Sequence, residues 1–375
     1  MKVLQLTVHF SPNVGGVETH LLDLVYGLAK RKWEVFVLTY RPLVAKAPWK
    51  ILEKKKNITI LRLPWFPGLF YQLVSQPIVE FLYLVPGLFF VIPFVLLVQN
   101  PEVIHAHGLV AGFIAIFWGK IAKKKVIIST HSLYELPQHG LYFSFVKWMF
   151  SHSDRVLCLS NQSVDEIERL GVDIEKVKRF TYWIDLSIFV PQNKEKAKKQ
   201  LGWDNKFVVL FVGRLVRIKG VRELLQASHI LHKNTVIAIA GEGPLSVEVM
   251  EEANKKNSKV IFLHKISNDK LPLYYNAADL LIVPSTHEEG FGRVILESLA
   301  CGTPVIGANR GAIPEAMDDT VGRLITITPE NIANAVMQLE KDPTLVQKLS
   351  RSSHTYAMKR YGEKNIREII KVYES

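Results

Sequence analysis

The feature that most constrains this chain is an alternation. Short apolar runs of strand length recur between segments of helix length, from the first residues almost to the last. KVLQLTV (2–8) is followed by helical spacing of Leu21, Leu22, Val25 and Leu28 within Glu18–Lys30, and then by WEVFVLT (33–39). Further strands are expected at VIHAH (103–107), VIIST (126–130), RVLCLS (155–160), FVVLFVG (207–213), TVIAIAG (235–241), VIFLH (260–264) and DLLIVPS (279–285). Apolar strands alternating with helices build parallel sheets covered on both faces, the α/β class.

The alternation pauses after RVLCLS. Tyr182 to Gln200 carries Trp183, Asp185, Pro191 and the charged run KEKAKKQ, and FVVLFVG then opens a second series. A domain boundary is expected near 186–200, and a length of 375 residues suits two domains. The second series runs to about Ile327, and two helical segments are expected after it, ending over Ile366–Tyr373.

A content of 48% hydrophobic and 22% charged residues excludes a disordered chain. Lys and Arg outnumber Asp and Glu 47 to 35, which favours anionic partners: phosphates, nucleic acid or an acidic membrane surface. No aromatic-basic RNA motif or DNA-binding module is recognisable, so nucleic acid is not expected. Cys158 and Cys301 sit in apolar stretches without zinc-type spacing and are expected as reduced, buried thiols of a cytoplasmic protein. The start MKVLQLTVHFSP reads as a first strand rather than a signal peptide, its apolar run being short and interrupted.

One segment departs from the pattern. FLYLVPGLFFVIPFVLLV (81–98) carries no charge over eighteen residues, the length of a membrane span. Pro86, Gly87 and Pro93 interrupt it, and a span would separate strands of one sheet. A helical elbow against the sheet and a membrane-docking face both fit better.

Four loops hold candidate chemistry. GGVETH (15–20) follows the first strand and opens a helix, where Gly15 and Gly16 let backbone amides approach an anion. In GRLVRIKG, Arg214 and Lys219 stand just past the carboxyl edge of the second domain's first strand, where open parallel sheets bind ligands. Two cations there suit a diphosphate. GEGP, with Gly241 and Gly243, starts like a dinucleotide fingerprint, but Ser246 stands at the third glycine and no acidic residue ends VIFLH. NAD binding is therefore not supported, and a tight turn near a ligand is the reading kept. The fourth loop is PSTHEEGFGRVILESLACGTPVIG (284–307). There Glu289 precedes Gly290, Phe291 and Gly292, a helix begins near Arg293, and Glu297 follows eight residues after Glu289. Two carboxylates at either end of a phosphate cradle suit a sugar nucleotide.

The order GGVE, HAHG, STHS, GRLVRIKG, GEGP, EEGFGRVILE and GAIPE resembles glycosyltransferase family 4, the retaining GT-B enzymes, over nearly the whole chain. GGVETH and THSL look like the N-acetylglucosaminyltransferases acting on phosphatidylinositol and, less closely, bacterial phosphatidylinositol mannosyltransferases. The resemblance implies two Rossmann-like domains with parallel sheets facing an interdomain cleft. Residues 1–188 would form the acceptor-side domain and 189–353 the nucleotide-sugar domain, with 354–375 packing back as a helix on the first.

The resemblance also implies roles. His131, Arg214, Lys219 and Glu289 would be catalytic. Arg214 and Lys219 would hold the donor diphosphate, with the amide of Gly16 opposite. His131 would face the donor sugar. Glu289 would bind its hydroxyls, aided by the amides of Gly290, Phe291 and Gly292. Glu297 would bind the ribose, the amides of Arg293 and Val294 a phosphate, and the backbone at Ile266 the base. Gly15, Gly241 and Gly243 complete the donor set, and His107 is divided between lining the acceptor cleft and structure. His9, His20 and His105 read as packing or capping residues.

Two departures stand out. His264 replaces a usual glycine, and Tyr182–Trp183 replaces the family's Asn-Gly pair before Asp185. The expected reaction moves a hexose or N-acetylhexosamine from a UDP- or GDP-linked donor to an unidentified acceptor, lipid or lipid-linked among the options, at the inner face of a membrane. No Asp-x-Asp occurs, so no metal or other cofactor is expected. Two alternatives stay open: a non-catalytic nucleotide-sugar-binding subunit, and a sugar-nucleotide epimerase or hydrolase.

Overall fold

A computed structural model describes residues 1–13, 15–43, 47–67, 77–131, 134 and 139–375. The chain divides into two compact units, Met1–Trp183 with Lys364–Ser375, and Ile184–Glu363.

The first unit begins β1 (Lys2–Thr7), α1 (Gly16–Lys30), β2 (Glu34–Tyr40), β3 (Leu52–Lys55), β4 (Ile58–Leu63), α2 (Pro77–Gln99), β5 (Val103–His107). It continues α3 (Leu109–Ile121), β6 (Lys125–Thr130), α4 (Leu141–His152), β7 (Arg155–Cys158), α5 (Asn161–Arg169) and β8 (Val177–Arg179). The sheet order is β3-β4-β2-β1-β5-β6-β7-β8, parallel except for the antiparallel β3–β4 pair. The chain starts at the centre, builds outward to one side, then crosses to the other. The topological switch point therefore lies between β1 and β5, where ligands of such sheets bind.

The second unit runs α6 (Lys194–Leu201), β9 (Phe207–Val212), α7 (Val221–Ser228), β10 (Thr235–Ala240), α8 (Ser246–Ala253), β11 (Val260–His264), α9 (Leu271–Ala277) and β12 (Leu280–Val283). Then follow α10 (Arg293–Ala300), β13 (Val305–Ala308), α11 (Ile313–Ala316), β14 (Gly322–Ile325), α12 (Pro329–Lys341) and α13 (Pro343–Tyr361). Its six strands are parallel in the order β11-β10-β9-β12-β13-β14, with the switch point between β9 and β12. Three helices, not two, follow the sheet. Asp342 caps α13 by accepting from Leu345 N at 2.9 Å, which ends α12 and starts the next helix.

The last of them, α14 (Lys364–Glu374), belongs to the first unit. Its face of Ile366, Ile369 and Tyr373 is buried. Lys125 Nζ donates to the carbonyls of Val372 and Tyr373 at 2.8 and 3.0 Å and so satisfies the helix end.

Helix α2 departs from the interrupted segment expected. The chain stays helical from Pro77 to Gln99 with both Pro86 and Pro93 inside. Each proline removes one helical donor. The buried hydroxyl of Tyr40 enters the ladder nearby, donating to Leu84 O at 2.6 Å and accepting from Leu88 N at 3.0 Å. One face of the helix, Leu84, Leu88, Ile92, Val95 and Leu96, is buried in the core of the first unit. The other is exposed at Leu82, Phe90, Phe94, Leu97 and Val98. Core packing and an open apolar face thus share one helix.

Candidate donor site and the histidine relay

In the second unit the two switch-point loops meet. Lys219, at the end of a short 3-10 turn after β9, donates from Nζ to Glu289 Oε1, in the loop after β12. Ser285 Oγ donates to the same oxygen at 2.5 Å. Glu289 is 9% exposed. Burial alone pushes its carboxyl up, but the Lys219 charge and the bonds from Lys219 and Ser285 outweigh it, so the net shift is downward and the group is ionised.

The approach of the two loops depends on Gly220. Its φ is +70°, and a Cβ there would stand 1.8 Å from Pro284 O. Thr286 N donates to Ile218 O at 3.0 Å, and His287 Nδ1 donates to the same oxygen at 3.1 Å. Gly241 plays a similar part for GEGP: a Cβ there would lie 1.8 Å from Gly213 O. Leu215 N donates to Glu242 O at 2.9 Å, which closes the turn holding Gly243 onto the loop after β9.

Arg214 is exposed and has no ion-pair partner among the described residues. Gly290 leads from Glu289 into Phe291, whose buried ring meets Tyr361 edge-on at 6.1 Å. Gly292 caps α10, and the amides of Arg293 and Val294 open that helix, where backbone donors lack acceptors within the helix. Glu297 lies one turn in and is 4% exposed. Its carboxylate accepts from Arg293 Nε at 2.8 Å and Tyr275 OH at 2.9 Å, so any further donor there must share it with these two. Ile266 is half-buried after β11. His264 adopts φ +53°, the left-handed backbone a glycine would take, and its carbonyl accepts from Gly241 N at 2.8 Å.

In the first unit, Gly15 caps α1 and Gly16 opens it at the β1–β5 switch point. A Cβ on Gly15 would lie 2.3 Å from Glu18 Oε2, so the Glu18 carboxylate occupies the space beside that cap. His107 ends β5, and His131 follows β6. The remaining THSL residues, Ser132 and Leu133, lie outside the described residues.

The histidines form a directed relay. Tyr182 OH lies 3.1 Å from His131 Nδ1, His131 Nε2 lies 3.0 Å from His107 Nδ1, and His107 Nε2 lies 2.7 Å from Gln5 Oε1. Gln5 Nε2 donates to Tyr373 OH at 3.0 Å, which lies 2.6 Å from His105 Nδ1; His105 Nε2 lies 2.6 Å from Ser129 Oγ. The Gln5 carbonyl can only accept, so His107 donates from Nε2 and its Nδ1 accepts from His131 Nε2. His131 Nδ1 then accepts from Tyr182. All three histidines are neutral in this pattern. Burial accordingly depresses His105 and His131 to about 3, with the neighbouring His131 adding to the effect on His105. Burial, and then the neighbouring histidines, hold His107 well below its ordinary value.

Gln5, Tyr373, Ser285 and Tyr275 were not singled out from sequence, and Tyr182 was marked only as a departure from the family pattern, not as a partner of His131. Beyond the histidines, a signal for the relay was Gln5, a polar residue between Leu4 and Leu6 in the middle of KVLQLTV. Among the described residues no group of three or more His, Cys, Asp and Glu is placed to hold a metal ion.

Residues 14–187 match the family model described as Glycosyltransferase Family 4, and residues 193–359 match the one described as Glycosyl transferases group 1. A D-inositol 3-phosphate glycosyltransferase of Acidothermus cellulolyticus is 27% identical over 304 residues, covering 72% of this chain and 66% of that protein, just under two thirds of its length. Sucrose-phosphate synthase from Thermosynechococcus elongatus superposes with a TM-score of 0.83 at 22% identity, covering 100% of this chain and 98% of that one. The HepE protein of Anabaena, solved in complex with UDP-glucose, superposes with a TM-score of 0.77 at 21% identity, covering 99% of this chain and 100% of that one. Two Rossmann-like units in this arrangement of strands are the GT-B fold. The chain is a GT-B-fold glycosyltransferase related to the group 1 and family 4 glycosyltransferases.

Proposed function

We propose that the chain transfers a hexose or N-acetylhexosamine from a nucleoside-diphosphate sugar to an acceptor with retention of configuration, and without a metal ion. The observation that carries this reading is the meeting of Lys219, Glu289 and Ser285 at the switch point of the second unit, beside the first turn of α10. The solved relative that holds UDP-glucose supports a uridine donor.

Arg214 and Lys219 stabilise the charge that grows on the departing diphosphate, and the amide dipoles at the start of α10 add to them. Glu289, ionised and held by Lys219 and Ser285, accepts hydrogen bonds from sugar hydroxyls. The backbone amides of Gly290, Phe291 and Gly292 support the same sugar, Glu297 takes the ribose, and the turns at Gly241, Gly243 and Ile266 border the nucleoside. In the first unit, His131 with His107 behind it contacts the sugar, and Gly15 and Gly16 offer amides to phosphate. Retention follows a same-face displacement, in which the diphosphate oxygen takes the proton of the attacking acceptor hydroxyl. The acceptor is a lipid or lipid-linked molecule, and the enzyme works as a peripheral protein on the cytoplasmic face of a membrane.

The test is a panel of nucleotide sugars assayed in EDTA for thermal shift and for release of nucleoside diphosphate. A shift and slow release with one donor is expected. No shift with any donor overturns the reading, and release that needs an added divalent ion overturns its metal-free part.

A further inference from the structure

The face of the first unit built by α2, α3 and α4 is apolar and open. On α2, Phe94 is 68% and Leu97 81% exposed. Rings continue the surface across the neighbouring helices. Phe89 of α2 lies 5.0 Å from Phe117 of α3, Phe113 lies 5.5 Å from Phe145 of α4, and Phe145 lies 6.2 Å from Trp148. Phe117, Ile121 and Trp148 are themselves exposed. Exposed large apolar side chains grouped on neighbouring helices in this way mark surfaces that meet a partner or a membrane.

Cations border the same face. Phe113, Phe117 and Ile121 follow one ridge of α3, and Lys120 and Lys124 adjoin its end. Lys124 Nζ reaches Asn100 Oδ1 at 2.6 Å, immediately past exposed Leu97 and Val98. Lys120, Lys123, Lys124, Lys125 and Arg155 line a groove of about 560 Å³. Asp154 in that groove pairs with Lys120 at 3.0 Å, so the cations stay in excess.

We propose that this face docks on an anionic lipid bilayer, with the rings of α2, α3 and α4 at the boundary of headgroups and acyl chains and the lysine groove against lipid phosphates. This deepens, and rests on, the peripheral location proposed above; it does not depend on the donor. Charge selects the occupant. A second copy on the same face would bring the lysine cluster against itself. The exposed side chains of α2 offer no hydrogen-bonding group, whereas a protein partner would meet a mix of polar and apolar contacts. A bilayer supplies both an apolar layer and phosphates. Crossing the membrane is excluded by the core: Leu84, Leu88 and Ile92 are fixed against the sheet, and the strands on either side of α2 belong to that one sheet.

Co-flotation of the full chain with phosphatidylcholine vesicles, with and without phosphatidylglycerol, tests the proposal. Flotation is expected on the anionic vesicles and should weaken with added salt. Phe94→Ser together with Leu97→Ser should lower partitioning at least about tenfold. Lys123→Ala and Lys124→Ala should each lower it by about fivefold, on anionic vesicles alone. No flotation on either vesicle, or equal flotation of the Phe94→Ser/Leu97→Ser variant, overturns the proposal. A dimer in sedimentation that this variant abolishes would assign the face to a second copy and overturn it too. Thermal shift by nucleotide sugars is read in parallel on every variant. A failure there counts against the transferase reading and leaves the docking result standing.

Discussion

The hydroxyl of Tyr182, three residues before Asp185, lies 3.1 Å from Nδ1 of His131. The ring of Tyr182 stacks on buried His20 at 4.1 Å, which fixes the direction of that hydroxyl. Both nitrogens of His131 are thereby engaged, one by Tyr182 and the other by His107. A sugar hydroxyl that bonds Nδ1 must replace Tyr182 there.

Tyr182→Phe tests this relationship. The stack on His20 survives the substitution, and only the donor to Nδ1 is lost. Leaving a buried acceptor unsatisfied costs roughly 1–3 kcal/mol. A fall in the denaturant midpoint by that amount is expected, with a changed His131 tautomer signal in nitrogen NMR. Unaltered stability together with an unaltered tautomer would remove Tyr182 from the relay.

Acid should destabilise the first unit well above the range in which carboxylates titrate. His105 and His131 are held at about 3 in the folded chain, below the ordinary value near 6.5. The unfolded chain therefore binds more protons once the pH drops below about 6.5. Stability contributed by the neutral rings is complete above that pH and drains away as the pH falls toward 3. At pH 5 each of the two costs about 2 kcal/mol. Equilibrium unfolding at pH 7 and pH 5 should show this loss, and Tyr373→Phe, which weakens the His105 contact, should leave most of the pH slope in place. A flat profile from pH 7 to 5 would mean that these histidines are solvated.

Lys219 and Glu289 should be separable into structural and chemical roles. Lys219→Ala leaves a buried carboxylate with Ser285 as its neighbouring donor, which raises the Glu289 pKa and destabilises the second unit. Turnover should fall by a factor of about 10²–10³, as for loss of a group that stabilises transition-state charge, and Glu289→Ala should behave alike. Lys219→Met with Glu289→Gln should recover much of the stability and none of the turnover. Near-normal turnover in Lys219→Ala would end its assignment to the diphosphate.

How far the sequence was readable follows from the range of each signal. VIHAH coincides with β5, buried along its whole length, and VIFLH with β11, an edge strand buried only at Val260, because each is a short local run of strand-forming residues. LEKK became β3 although three of its four residues are polar, since an edge strand needs only its backbone to pair with β4. The prolines of α2 read as interruptions because the hydroxyl that enters its ladder comes from Tyr40, far back in the chain. Lys219 and Glu289 stood in legible loops, since strand ends and glycines mark the carboxyl edge of a sheet. The relay left almost no trace: Gln5 and Tyr373 are 368 positions apart and meet only because α14 returns to the first sheet.

The close approach of the two loops in the second unit gives the last prediction. Gly220 holds a left-handed backbone, and a Cβ there would meet the Pro284 carbonyl at 1.8 Å, well inside contact. Backbone cannot yield as a flexible side chain does, so Gly220→Ala must push the turn carrying Lys219 away from the strand end that leads to Glu289. Strain at such a position adds about 1–2 kcal/mol even without the clash. Two readouts should move together: thermal unfolding of the second unit should shift down, and the thermal shift produced by a nucleotide sugar should shrink or vanish. Lys219→Arg, which keeps the charge and leaves Gly220 in place, should retain part of the donor response. If Gly220→Ala binds donor as the parent does, the contact between the two loops is not what assembles the site.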